Sequence, residues 1–227
     1  MNDLLALVRL LQLASPALPV GAFSYSQGLE WQVDSGIVRD AMTAQEWIGE
    51  LLEHVQSRGE AAVLARLLEA LRNRDAHAFR RWNAWLRASR ESAELRAETE
   101  QMGGSLLRLL RELELLPPGH EMWRDESVRL TFPAAFALAA RLHELDDLAA
   151  VSAYLYAWLE NQVLAAIKLV PLGQFAGQRM LHALAAAIPA AASRALALPE
   201  DDIASFAPGL ALASMRHETQ HTRLFRS

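Results

Sequence analysis

Apolar residues in this chain recur at three- and four-residue steps rather than at every second position, and that period specifies helices. Residues 3–13 carry one such stripe, which stops before Ser15-Pro16 because a proline bars the residue before it from the helical region. Residues 29–34 read as a short second helix closed by Gly36. Thr43-Ala44-Gln45-Glu46 has capping-box spacing, threonine oxygen and glutamate each satisfying an orphan amide, and opens a pattern to about Leu71 with Gly59 as its interruption. Asp75 is placed to cap the next helix, on which Phe79, Trp82 and Leu86 share a face, and residues 91–112 continue in the same style until Pro117-Pro118-Gly119. Asp146-Asp147 opens a long helix striped by Leu155, Leu159, Gln162, Val163, Ala166, Ile167 and Val170, the expected centre of the fold. Pro171-Leu172-Gly173 breaks it, residues 174–187 resume, Pro189 and Pro199 bracket an alanine-rich piece, and Pro208-Gly209 precedes a last helix. Strand signals and internal repeats are scarce. The expected fold is all-α, a single irregular globular bundle of about eight to ten helices occupying residues 1–227 as one domain.

Composition narrows the function classes. Of 22 basic residues only Lys168 is a lysine, and the net charge is −5, so no basic field for nucleic acid or anionic lipid is expected. No apolar run reaches the roughly 20 residues of a membrane span. The start, Met1-Asn2-Asp3, lacks a basic signal-peptide region, and the chain has no cysteine, so a cytoplasmic location without disulfides is expected. Thiolate metal sites are excluded, which leaves seven histidines and the carboxylates as strong ligands.

Three stretches carry candidate chemistry. Residues 10–30 run from an apolar helix into a loop stiffened by Pro16, Pro19, Gly21 and Gly28, in which Phe23-Ser24-Tyr25-Ser26-Gln27 alternates aromatic and polar side chains. Two readings stand equal: a surface shaped for docking, or aromatics plugging the chain's own core. His217-Glu218-Thr219-Gln220-His221 fits the H-E-x-x-H pattern of zinc peptidases; on a helix the two histidines share one face with Glu218 beside them as base. No residue downstream supplies the third ligand such a site needs, so a peptidase is the lesser reading. His217 and His221 remain the candidate metal ligands, against solvated or partner-packed histidines as the simpler view. The tail mixes Met215, Leu224 and Phe225 with Arg216, Arg223 and Arg226, the anchors and planar donors that interfaces favour; docking on its own core explains the same letters. Gly103-Gly104 lies inside a helical stretch as either a kink or a close crossing. Lys168 either snorkels along the surface or faces a partner. No P-loop and no G-x-S-x-G elbow occurs.

Residues 13–31, residues 158–174 with Lys168-Leu169-Val170-Pro171-Leu172-Gly173-Gln174, and the ending Thr222-Arg223-Leu224-Phe225-Arg226-Ser227 together resemble the UreF family of urease accessory proteins. The likeness spans nearly the whole chain and is thinnest over residues 72–118. It implies a non-catalytic, cofactor-free helical adaptor that dimerises and bridges the scaffold protein UreD (UreH in some systems) and the GTPase UreG, so that nickel reaches apo-urease. Residues 1–30 and 209–227 are then the partner-binding segments. By motif position Tyr25 and Arg223 match residues that shape the GTPase-recruiting surface. Glu30 and Lys168 match charged positions tied to the same GTPase or to fidelity of metal loading. Met215, His217, His221, Leu224, Phe225 and Arg226 fall in the tail that orders against the scaffold. A helical nickel-binding protein is the remaining alternative.

Overall fold

Proline, glycine and short polar caps divide the chain where the apolar stripe changes direction. A computed structural model describes residues 3–116, 129–204 and 207–227, which contain no strand. Helix α1 spans Asp3–Ala14, a 3-10 turn Ala22–Ser24, α2 Leu29–Asp34, α3 Ala41–Glu50, α4 Glu60–Arg72, α5 Ala76–Ala88 and α6 Ala93–Glu112. They are followed by α7 Phe132–Leu142, α8 Asp147–Leu169, α9 Gln174–Ala185, α10 Ile188–Ala197, a 3-10 turn Glu200–Asp202 and α11 Pro208–His217. The Pro117-Pro118-Gly119 stop falls outside the described residues.

Helix α8 is buried on several faces, through Val151, Tyr154, Leu155, Trp158, Leu159, Gln162, Val163 and Ala166, and it packs on α1, α2, α3, α4, α7, α9 and α10. A helix apolar around most of its circumference belongs in the middle of a bundle. Its Asp146 caps it, the side chain accepting from Ala149 N at 3.0 Å. Around it, α7 contributes Ala134, Ala135, Phe136, Ala137, Ala139 and Ala140, all fully buried, whose small side chains let α4 and α6 approach closely. Phe136 and Tyr154 meet edge to face with ring centroids 5.3 Å apart.

Two local readings change. The capping box sits three residues earlier than Thr43–Glu46: Asp40 Oδ1 accepts from Thr43 N at 2.9 Å, and Thr43 Oγ1 accepts from Asp40 N at 3.1 Å. Asp40 starts the helix first and leaves Thr43 in its opening turn. At Gly103 the helix α6 is unbroken; a Cβ there would lie 2.1 Å from Leu130 O. The glycine therefore marks a close approach, by the backbone entering α7. Asp75 caps α5 as expected, and Phe79, Trp82 and Leu86 are buried together. The pattern from Ala41 widens into a π-helical turn, Leu51–Gln56, before Gly59 separates it from α4. Among the described residues no single helix is long and apolar enough to cross a membrane; α9 and α10 reach that length only jointly, across a 41° bend.

Candidate docking site where the two ends of the chain meet

The loop after α1 holds its shape through glycine. Gly21 and Gly28 have φ of 80° and 78°, and at Gly28 a Cβ would lie 2.9 Å from Ala213 Cβ, so α11 crosses directly over the start of α2. The chain then leaves α11 at His217 and runs back along the loop as an extended tail. Arg226 N donates to Ser24 O at 2.8 Å, while Ser26 N and Gln27 N donate to Ser227 O at 2.7 and 3.1 Å. Ser26 Oγ donates to the same oxygen at 2.6 Å. Neither segment is a strand, yet each satisfies the other's backbone.

Carboxylates hold this seam. Glu30, 6% exposed, accepts from Leu224 N through Oε1 at 2.6 Å and from Phe225 N through Oε2 at 2.9 Å, and Oε2 also lies 3.1 Å from His217 Nε2. His217 is fully buried, with Nδ1 2.6 Å from Glu94 Oε2, and Glu94 also pairs with Arg223 at 2.5 Å. A carboxylate is tolerated at such depth only with donors around it, and here the tail backbone supplies them. Lys168 Nζ stands 5.4 Å from the Phe225 ring centroid, a cation over the buried aromatic of the tail. Deeper in, Glu98 accepts from Ser227 Oγ at 2.6 Å and from Gln27 Nε2 at 2.7 Å. Burial lifts its carboxyl to about 7; those two hydrogen bonds and Arg90 pull it down, and Glu60 pushes it up.

The two rings of the aromatic loop part company: Tyr25 turns into the chain's own core and Phe23 turns outward. Tyr25 is 5% exposed and donates to Gln101 Oε1 at 2.7 Å, and burial followed by the nearby Glu98 raises its phenol. Phe23 is 64% exposed, at the rim of an 80 Å³ cavity walled by Leu18, Val20, Phe132 and Trp158 and floored by Glu60, Arg90 and Glu98. In that floor Arg90 donates to Glu60 at 2.6 Å, Tyr154 donates to the other oxygen of Glu60, and Arg90 Nε and Nη2 have no hydrogen-bond partner among the described residues.

The structure brings Tyr25, Glu30, Lys168, Arg223, His217, Phe225 and Arg226 into one seam and divides them by depth. Tyr25, Glu30, His217 and Phe225 are buried, whereas Lys168, Arg223, Leu224, Arg226, Met215 and His221 face outward. The shared helical face expected for His217 and His221 is not formed. Helix α11 ends at His217, and Glu218 folds under α6, where its carboxylate accepts from Ala93 N at 2.8 Å and Glu94 N at 3.3 Å. An anion at a helix N-terminus is a structural device, and it removes Glu218 from the role of base. Among the described residues no group of three or more His, Asp or Glu is arranged to hold a metal ion. Glu94 and Glu98 were missing from the sequence reading; their i, i+4 spacing places them on one face of α6, but nothing local announces what that face meets.

Comparison with known proteins supplies the class. A family model described as UreF matches residues 38–185. A protein described as urease accessory protein UreF from Azoarcus sp. (strain BH72) is 55% identical over 229 aligned residues, covering 100% of this chain and 97% of that relative. Proteins of the same description from Dechloromonas aromatica (strain RCB) and Methylobacillus flagellatus are 48% and 47% identical, covering 100% and 98% of this chain and the same shares of their own lengths. The molecule is an all-helical urease accessory protein. It belongs to the UreF family. The family-model match takes in Glu94, Glu98 and Lys168 but stops short of both the loop and the tail, which the alignments with the full-length relatives span.

Proposed function

We propose that this chain is a non-catalytic adaptor that joins a UreD/UreH-type scaffold to a UreG-type GTPase, so that nickel is inserted into apo-urease, and that it works as a cytoplasmic homodimer. The observation that carries this reading is the seam. Parts of the two segments expected to bind partners, residues 24–30 and 217–227, lie directly against each other over the helical core, and the helical histidine pair that a peptidase would use is not formed there. Outward-facing apolar groups support the scaffold contact: Leu212 and Met215 on α11, Leu224 in the tail, and the stripe Leu4, Leu7, Val8 and Leu11 on α1 are each half or more exposed. A run of that kind on a protein with many buried leucines marks an interaction face. Tyr25 and Glu30 act from beneath, shaping the surface on which Arg223 is presented, and Lys168 steadies the tail through Phe225. His217 contributes by anchoring the tail; His221, Met215, Leu224 and Arg226 are the groups placed to touch the scaffold.

Such an adaptor biases the GTPase cycle only by binding one nucleotide- and metal-loaded state more tightly than another. It needs no bond-making group of its own. The peptidase alternative has lost the helical face on which it depended, and a nickel-binding protein would need ligands beyond His217 and His221. The test is capture of the GTPase by the complex of this chain with its scaffold. Tyr25→Ala combined with Arg223→Ala is expected to abolish capture with the circular dichroism of the helices unchanged; retained capture removes both residues from the recruiting surface.

A further inference from the structure

Glu98 lines the cavity and touches both the tail, at Ser227, and the loop, at Gln27. Its two oxygens have different neighbours. Oε1 accepts from Gln27 Nε2 at 2.7 Å, and Gln27 Oε1 in turn accepts from Trp158 Nε1 at 2.7 Å. An indole N–H only donates, so Trp158 fixes the carbonyl of Gln27 toward itself and the amide toward Glu98. Oε1 of Glu98 is thereby committed to accepting. Oε2 faces Ser227 Oγ at 2.6 Å, a hydroxyl that donates or accepts as required. An ionised Glu98 takes the hydroxyl proton of Ser227 as a hydrogen bond. A protonated Glu98 donates from Oε2, and the hydroxyl turns to accept.

We propose that Glu98 is the positioning residue of the tail, and that the hydroxyl at position 227 allows a single contact to hold the tail in both protonation states of that carboxyl. The assignment rests on the seam being the recruiting surface described above, and it names the group that keeps that surface closed. Its surroundings give the carboxyl reason to change state near neutrality. Glu60 on α4 disfavours its charge and Arg90 ahead of α6 favours it, while Glu98 in turn raises the phenols of Tyr154 on α8 and of Tyr25 on the loop, beside which Arg226 of the tail lies. With the carboxyl at about 7, both forms are populated in a neutral cell. A seat built from a donor-only group, such as a lysine, would be lost on one side of that titration.

The test is hydrogen exchange of the peptide covering residues 218–227 in the full chain at pH 6 and pH 8, corrected for the intrinsic pH dependence of exchange. The unsubstituted protein is expected to keep this peptide protected at both, more strongly at pH 6, where the carboxyl is largely protonated, than at pH 8. Glu98→Gln reproduces the protonated arrangement, accepting from Gln27 and donating to Ser227, and is expected to hold the protection seen for the unsubstituted protein at pH 6 within about twofold at both pH values. Ser227→Ala is expected to lose about tenfold at pH 8, where a buried carboxylate forfeits a donor, and clearly less at pH 6. Glu98→Leu should release the tail at both. Release by Glu98→Gln as complete as by Glu98→Leu, or an equal effect of Ser227→Ala at the two pH values, overturns the proposal. Release of the tail by Ser227→Ala with undiminished GTPase capture would still support this seat and count against the recruiting role instead.

Discussion

The interior around α4, α7 and α8 and the seam around Glu30 are both buried, but they are held by different physics. In the first, Phe136, Leu64, Leu67, Leu155 and the alanines of α7 exclude water through shape and area, and no single atom is indispensable to the arrangement. In the second, Glu30, Glu98, His217 and Gln27 are buried, and Glu94 half-buried, polar groups whose tolerance depends on named partners a few ångströms away. Dispersion over many contacts gives a core whose loss on truncation follows the volume removed and is indifferent to pH. Directed hydrogen bonds give a joint that opens when one partner is withdrawn, which suits a surface that must meet two other proteins.

Truncating the core should produce the largest effect. Phe136→Ala empties the space against Tyr154 and Phe132 and is expected to cost about 4 kcal/mol, read as a lowered urea midpoint with the slope unchanged. A loss below about 1 kcal/mol would mean that the two regions do not differ as described.

The seam should show a pH dependence that the apolar interior lacks. Glu98 has a native value of about 7 against an ordinary 4.5, so the folded state holds more protons than the unfolded one between those values. Stability from this group is therefore full below about 4.5, falls as pH rises toward 7, and is flat beyond, a loss of about 2 kcal/mol after allowance for relaxation. Glu98→Gln is expected to remove that slope and to gain on the unsubstituted protein at pH 8 but not at pH 4.5. Identical pH profiles from urea denaturation would place the charge elsewhere.

The smallest effect belongs to Lys168, whose ammonium lies over Phe225 at an exposed position. Lys168→Met retains the stem and removes the charge, and should loosen the tail by about 0.5 kcal/mol, seen as an about twofold faster exchange of the tail amides with global stability unchanged.

Much of the interior was legible in the sequence because helical periodicity is a local signal. The span Leu29–Asp34, the caps at Asp75 and Asp146 and the buried stripe of α8 follow from residues within one or two turns of one another. Asp40 shows where local reading slips: two polar groups three residues apart competed for the cap, and the earlier one took it. Of the seam, the stiff loop and the mixed tail stood out as unusual, and the family motifs singled out Glu30 and Lys168. That Tyr25 would be buried while Phe23 stayed out was not legible, since alternation assigns two faces without saying which is inside. Glu94 and Glu98 were invisible for a related reason: their partners in the tail lie more than a hundred residues along the chain, and a glutamate in a helix carries no mark of what it will face. The same holds for His217, whose neighbours spelled a metal site although its ring nitrogens are both taken by carboxylates.

The most direct measurement is Glu30→Ala examined by two readouts, exchange of the tail peptide and capture of the GTPase by the scaffold-bound complex. Removing this carboxylate strips Leu224 N, Phe225 N and His217 of their shared acceptor. Loss of tail protection together with loss of capture, at unchanged helicity and with the interior still protected, is the expected result. A tail that stays protected, or capture that survives its release, would contradict the idea that the joined ends of this chain form the docking surface.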